Sequence, residues 1–170
     1  MLTMAYIGNG KSTNRYHLPF VRKLADKIRV KMIYQRSQSS WPELEGIHYT
    51  HRLEDILMDT EISLVAICTP DLAKVCLEAG KNVLVEKPFT DTLSQAQELF
   101  DLVKTKGLII QAYQNRRFDS DFLTVQKVLA SGRLGDLLEM EMHFDYFRPQ
   151  VPQASQSFKP EESFLYTHAC

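Results

Sequence analysis

Glu86, Lys87 and Pro88 close a short apolar run, Val83 to Val85, in the stretch Ala79-Gly80-Lys81-Asn82-Val83-Leu84-Val85-Glu86-Lys87-Pro88-Phe89. The run has the composition of a buried parallel strand. Open α/β sheets bind ligands off the carboxyl ends of their strands. A lysine placed there, beside a carboxylate and a backbone-fixing proline, is a candidate proton carrier. Oxidising an alcohol removes a hydride and a proton, and a lysine desolvated beside a positively charged acceptor can take that proton. Lys87 is therefore the candidate catalytic residue. The plainer alternative is a surface lysine that closes a strand.

A second constellation, Gly8-Asn9-Gly10-Lys11-Ser12-Thr13, follows an apolar run and precedes a helical pattern. The first two glycines of a dinucleotide fingerprint belong at that place, where they permit a tight turn and close approach to a pyrophosphate. Thr13 stands at the third glycine position, and Lys11 can add charge toward the pyrophosphate. The alternative is an ordinary glycine turn. The second strand of such a fold commonly ends in an acidic residue that binds a ribose 2′-hydroxyl. Here it ends Tyr34-Gln35-Arg36-Ser37, without a carboxylate. Arg36 and Ser37 suit a 2′-phosphate, which favours NADP over NAD. Otherwise Arg36 is a solvated loop charge.

These residues need a scaffold, and the chain predicts one. Residues 2–7, 30–34, 47–50, 63–68, 82–86 and 108–113 read as strands. Residues 13–25, 53–58, 71–79 and 92–105 read as the helices between them. Pro19 predicts a late start or a kink in the first helix, whose inner face reads as Tyr16, Phe20, Val21 and Leu24. Leu93, Ala96, Leu99 and Val103 mark the inner face of the last helix, and Gly80 and Gly107 close two of the four. The alternation implies an α/β fold with a Rossmann-type doubly wound parallel sheet over residues 1–118. Beyond it a helix is expected at 121–130, with Phe122, Val125 and Leu129 inward. Leu138, Met140, Met142, Phe144 and Tyr146 then alternate with Glu139, Glu141, His143 and Asp145, a strand apolar on one face. Residues 119–170 thus read as the incomplete start of an α+β domain with an antiparallel sheet.

Composition narrows the function. The chain has 170 residues and a net charge of -1, so charge gives no case for nucleic acid or an anionic membrane. No apolar run approaches the roughly 20 residues that span a bilayer. The amino terminus lacks a signal-peptide pattern. Cys68, Cys76 and Cys170 are unevenly spaced and read as reduced residues, so a cytoplasmic protein is expected. His48, His51 and His143 lack metal-ligand spacing, and no metal site is expected. His17 reads as structural.

Together, Ile7-Gly8-Asn9-Gly10, Ile67-Cys68-Thr69-Pro70, Glu78-Ala79-Gly80-Lys81 and Val85-Glu86-Lys87-Pro88 resemble the glucose–fructose oxidoreductase, inositol dehydrogenase and MocA family. Tyr113-Gln114-Asn115-Arg116-Arg117-Phe118 is similar to that family's sixth strand and the crossing into its second domain. The resemblance covers nearly the whole chain and implies a two-domain NAD(P)-dependent oxidoreductase. Its substrates are small molecules such as sugars, inositols or polyols, and its full-length members form homo-oligomers, dimers or tetramers. It implies that Lys87 assists proton transfer near the nicotinamide. Glu86 and Pro88 would shape the nicotinamide pocket, with the Lys87–Pro88 peptide cis. Thr69 and Pro70 would line the cofactor. Asn115 and Arg116 are candidate cofactor contacts; Arg116 and Arg117 suit nicotinamide-side or substrate contacts, or interdomain salt bridges. The apolar face from Leu138 to Tyr146 suits either oligomer contacts or packing within its own domain.

Two departures stand out. Family members carry several more residues, usually with a histidine, between Thr69-Pro70 and the next helix. The short connection here is either a deletion or a segment missing from the chain. The segment from Phe164 to Cys170 stops before the family's substrate-binding histidine; Thr167 falls near its aspartate, and His168 is out of register for a catalytic role. These departures leave open a second reading, a non-catalytic nucleotide-binding or regulatory protein that retains the fold.

Overall fold

The computed structural model describes residues 1–67 and 72–143, together with 145, 147 and 149. Six strands build one sheet: β1 (Leu2–Ile7), β2 (Ile28–Tyr34), β3 (His48–Thr50), β4 (Leu64–Ile67), β5 (Asn82–Val85) and β6 (Ile110–Ala112). Their order is β3-β2-β1-β4-β5-β6, with every pairing parallel. This is the doubly wound Rossmann arrangement, with β1 and β4 as the central neighbours where strand order reverses.

The apolar strands are buried on both faces, as their composition requires. Side chains alternate across a strand. Ala5, Ile7, Val65, Ile67, Val83 and Val85 therefore join one cluster, while Met4, Tyr6, Ile33 and Ala66 join another with Leu18. The first cluster is covered by α2 (Leu53–Leu57), α3 (Ala73–Glu78) and α4 (Leu93–Lys106), through Ile56, Ala73, Leu77 and Leu99. Cys76 is fully buried there as a free thiol. A capping box starts α4: Thr92 Oγ1 accepts from the Gln95 N–H, and Gln95 Oε1 accepts from the Thr92 N–H. Gly107 ends that helix in the left-handed region, φ 65°. Leu93, expected to face inward, lies exposed in the first turn of α4. Val103 packs beside Leu99 as expected, and Leu102 joins them.

The first helical segment departs from its expected form. A π-helical turn (Ser12–His17) leads into α1 (Leu18–Val21), and a 3₁₀ turn (Arg22–Leu24) follows. The Leu18 N–H bonds to the Thr13 carbonyl, five residues back. Pro19 has no N–H to give to a carbonyl four residues earlier, and the wider turn accommodates that loss. The wider turn also rotates the inward face. Thr13, His17 and Leu18 are buried, whereas Tyr16, Phe20 and Leu24 of the expected face are exposed.

The described residues divide into one compact unit through Tyr113 and another from Gln114. The second contains a 3₁₀ turn (Asn115–Phe118) and α5 (Ser120–Ala130). No residue of α5 is buried, including Phe122, Val125 and Leu129, which were expected inward. Residues 137–143 form no strand among the described residues, and Leu138, Met140 and Met142 are exposed. A strand requires a neighbour to take its ladder hydrogen bonds, and among the described residues the alternating pattern has none. Cys68, Thr69, Pro70, Asp71, Phe144, Tyr146, Thr167, His168 and Cys170 lie outside the described residues. Among the described residues, no helix is long and apolar enough to cross a membrane.

Candidate functional site

The glycine turn leaves β1 at the centre of the sheet. Gly8 has φ 119°, a conformation that side chains disfavour. Its N–H donates to the Tyr34 carbonyl at 2.9 Å, so the turn starts against the end of β2. Gly10 is exposed, and a β-carbon there would meet nothing within 4 Å. Packing within the described chain therefore does not demand a glycine at this position, and its absence of a side chain leaves the backbone open to close approach. Thr13, at the third glycine position, is fully buried and donates its hydroxyl to the Gly8 carbonyl at 2.6 Å. The missing glycine is replaced by a side chain that closes the turn on itself.

Asn9 ties this turn to its neighbours. Its amide donates to Gln35 Oε1 at 2.9 Å, and its own Oδ1 accepts from Asn14 at 2.8 Å. Ser39 donates to the Asn9 carbonyl at 2.7 Å. Gln35 is held in turn: its N–H donates to the Thr50 carbonyl at 2.9 Å, and its carbonyl accepts from His51 Nδ1 at 2.7 Å. The ends of β1, β2 and β3 are thus one hydrogen-bonded rim. Lys11, Arg36 and Ser37 are exposed on it. Backbone room at Gly10, no carboxylate at the β2 end and exposed cationic side chains fit a phosphate-bearing dinucleotide.

The other half of the site comes from β5. Its extension continues the sheet, since the Glu86 N–H donates to the Ile67 carbonyl at 2.9 Å. The Lys87–Pro88 peptide is cis, as the resemblance implied, and Pro88 is buried. Lys87 is half-buried. Glu86 does not pair with the neighbouring ammonium among the described residues. Its Oε1 accepts from the Ser12 hydroxyl and from His17 Nε2, the latter at 2.6 Å. Burial raises the Glu86 carboxyl, but the His17 and Ser12 hydrogen bonds outweigh it and hold the group below its ordinary value.

His17, expected to be merely structural, is therefore in the site's polar network. Its ring stacks on Tyr113, with centroids 4.2 Å apart, and meets Tyr6 edge-on at 5.5 Å. Tyr113 donates its hydroxyl to the Tyr16 carbonyl at 3.2 Å. Burial and the nearby Glu86 charge raise the Tyr113 hydroxyl above its ordinary value. His17, Asn14, Ser39 and Tyr113 carried no local signal for these roles, because each depends on a partner outside its own element. Asn115 and Arg116 belong to the second unit, where the Arg116 guanidinium pairs with Asp119 at 2.7 Å. Thr69 and Pro70 fall outside the described residues.

Comparison with known proteins bears on the fold and the family. Residues 2–114 match the model of an oxidoreductase family with an NAD-binding Rossmann fold. The uncharacterised oxidoreductase YhhX of Escherichia coli is 51% identical over 157 residues, covering 88% of this chain and 46% of its own. The scyllo-inositol 2-dehydrogenase (NADP(+)) IolW of Bacillus subtilis is 30% identical over 155 residues, covering 88% of this chain and 43% of its own. A crystal structure of yhhX superposes with a TM-score of 0.91 at 46% identity, covering 99% of this chain and 51% of that one. An oxidoreductase from Bacillus cereus gives 0.86 at 43% identity, covering 99% and 50%. The chain thus spans about half the length of the relatives it matches. It belongs to the oxidoreductase family with an NAD-binding Rossmann fold, the family its glycine turn and its Glu86-Lys87-Pro88 run resemble.

Proposed function

We propose that the protein is an NAD(P)-dependent oxidoreductase that moves a hydride between a nicotinamide cofactor and a sugar-, inositol- or polyol-like substrate. The observation that carries this reading is the Ser12–Glu86 hydrogen bond, which sets the glycine turn beside the strand end that bears Lys87. Gly8, Asn9, Gly10, Lys11, Ser12 and Thr13 hold the pyrophosphate. Arg36 and Ser37 meet a 2′-phosphate, which makes NADP the preferred cofactor over NAD. Glu86 and Pro88 shape the nicotinamide pocket, and the resemblance adds Thr69, Pro70, Asn115 and Arg116 to the cofactor contacts. The nicotinamide, when bound, supplies the hydride acceptor or donor.

Lys87 does the proton work. In oxidation it takes the proton of the substrate hydroxyl, and in reduction it returns it. The similarity to IolW, named for scyllo-inositol and NADP(+), supports both the polyol class and the cofactor preference. Residues that select the substrate belong to the part of the relatives' length beyond this chain. The resemblance also supports a homo-oligomer, dimer or tetramer, as the working form.

The test is turnover in the full-length protein against a panel of sugars and inositols with NADP. Lys87→Ala should lose most of the rate and keep its NADPH affinity. Unchanged turnover sinks the assignment of Lys87.

A further inference from the structure

We propose that His17 is a positioning residue that, through Glu86, couples the cofactor turn to the strand end bearing Lys87. The inference rests on the reading of that turn as the cofactor site.

Three observations carry it. First, one oxygen of Glu86 receives both clamps, the Ser12 hydroxyl and His17 Nε2 at 2.6 Å. In an α-helix, positions five apart point about 140° away from each other. The π-helical turn, with its five-residue bonding, brings Ser12 and His17 round to one carboxylate. The irregularity that Pro19 imposes thus aims both donors. Second, His17 cannot swing away. It is 5% exposed and sits between the Tyr113 face and the Tyr6 edge. Third, Glu86 directly precedes Lys87, whose N–H lies 3.4 Å from Glu86 Oε2. Holding that carboxylate holds the peptide from which Lys87 projects. Among the described residues, the titratable groups around Glu86 are His17, Lys87 and Tyr113. Without its donors a largely buried carboxylate would take up a proton or turn to water, and the turn and the lysine would lose their common anchor.

The clamp predicts a pattern that simple packing would not. His17→Phe keeps an aromatic ring against Tyr113 and Tyr6 but removes the donor. His17→Gln keeps an N–H donor of similar reach. In the 170-residue chain, NADPH affinity should fall roughly tenfold in His17→Phe, as expected for one lost hydrogen bond to a charged group. Glu86→Gln should lose a similar amount. The double variant should lose no more than either single one, because both break the same coupling. His17→Gln should recover most of the affinity. Should His17→Phe not fold, Ser12→Ala on the glycine turn carries the same cycle with Glu86→Gln.

Wild-type affinity in His17→Phe, or losses that multiply in the double variant, overturns the proposal. A second readout needs no cofactor: the carboxyl carbon of Glu86, followed by NMR, should titrate at higher pH in His17→Phe than in wild type. A midpoint that does not move also overturns the clamp. Failure of the wild-type chain to bind either NADPH or NADH is a failure of the cofactor reading, and the carboxyl titration then decides the clamp alone.

Discussion

His17 Nε2 lies 2.6 Å from Glu86 Oε1 across 69 positions of sequence, and Ser12 donates to the same oxygen. One carboxylate therefore joins the first crossover of the sheet to the end of its fifth strand. The stability of that junction depends on its ionisation.

Acid sensitivity follows from that carboxylate. Burial pushes it up, the His17 and Ser12 hydrogen bonds push it down, and the net shift is downward. The folded state then binds fewer protons at this group than the unfolded chain does. Its contribution is complete above the ordinary carboxylate range and is lost as pH falls through the lowered folded value. In urea unfolding, wild type and Glu86→Gln should differ most near neutral pH and converge on acidification. A gap that widens with acid contradicts this.

The two turn glycines should separate stability from binding. Gly8→Ala forces a side chain into φ 119° and should cost about 1–3 kcal/mol of stability. Gly10→Ala meets nothing within 4 Å and should leave the unfolding midpoint unchanged while weakening NADPH binding. A Gly10→Ala chain that binds NADPH as wild type does would remove the turn from the cofactor site.

Lys81 is a structural cation. Its buried ammonium donates to the Asp59 carbonyl at 2.6 Å and to the Ile62 carbonyl at 2.9 Å, and burial lowers its pKa. Lys81→Met takes the ammonium from both carbonyls, of which that of Asp59 keeps the Ile62 N–H at 3.2 Å, and should destabilise by about 1–3 kcal/mol in urea unfolding. An unchanged midpoint would show that the two carbonyls do not need the lysine.

Cys76 should be inert in the native protein. It is fully buried, and burial pushes its thiol up to about 12. Peptide mapping after alkylation at mildly alkaline pH should find it unmodified until urea unfolds the chain. Native-state labelling would contradict the packing of α3.

Much of the first unit was legible because its forces are local. Leu64 to Ile67 of β4 and Val83 to Val85 of β5 announce strands with apolar side chains on both faces, and Thr92, Gln95 and Gly107 bracket α4 by short-range capping. The strand end at Lys87 and the glycine turn were legible for the same reason. What escaped was long-range or irregular. A 3.6-residue pattern placed Tyr16 and Phe20 inside, and the turn ahead of Pro19 put Thr13 and His17 there instead. His17 has no neighbour in sequence that announces Glu86. The alternation after Leu138 has an apolar face but no partner strand among the described residues, and period alone does not supply one.

The central claim is that the rim made by Gly8–Thr13 and Arg36 holds a phosphorylated dinucleotide, and fluorescence titration tests it most directly. The account predicts that the chain binds NADPH more tightly than NADH, and that Arg36→Ala weakens NADPH about tenfold while leaving NADH nearly unchanged. Tighter binding of NADH by the wild-type chain, or an equal loss of both cofactors in Arg36→Ala, would contradict it.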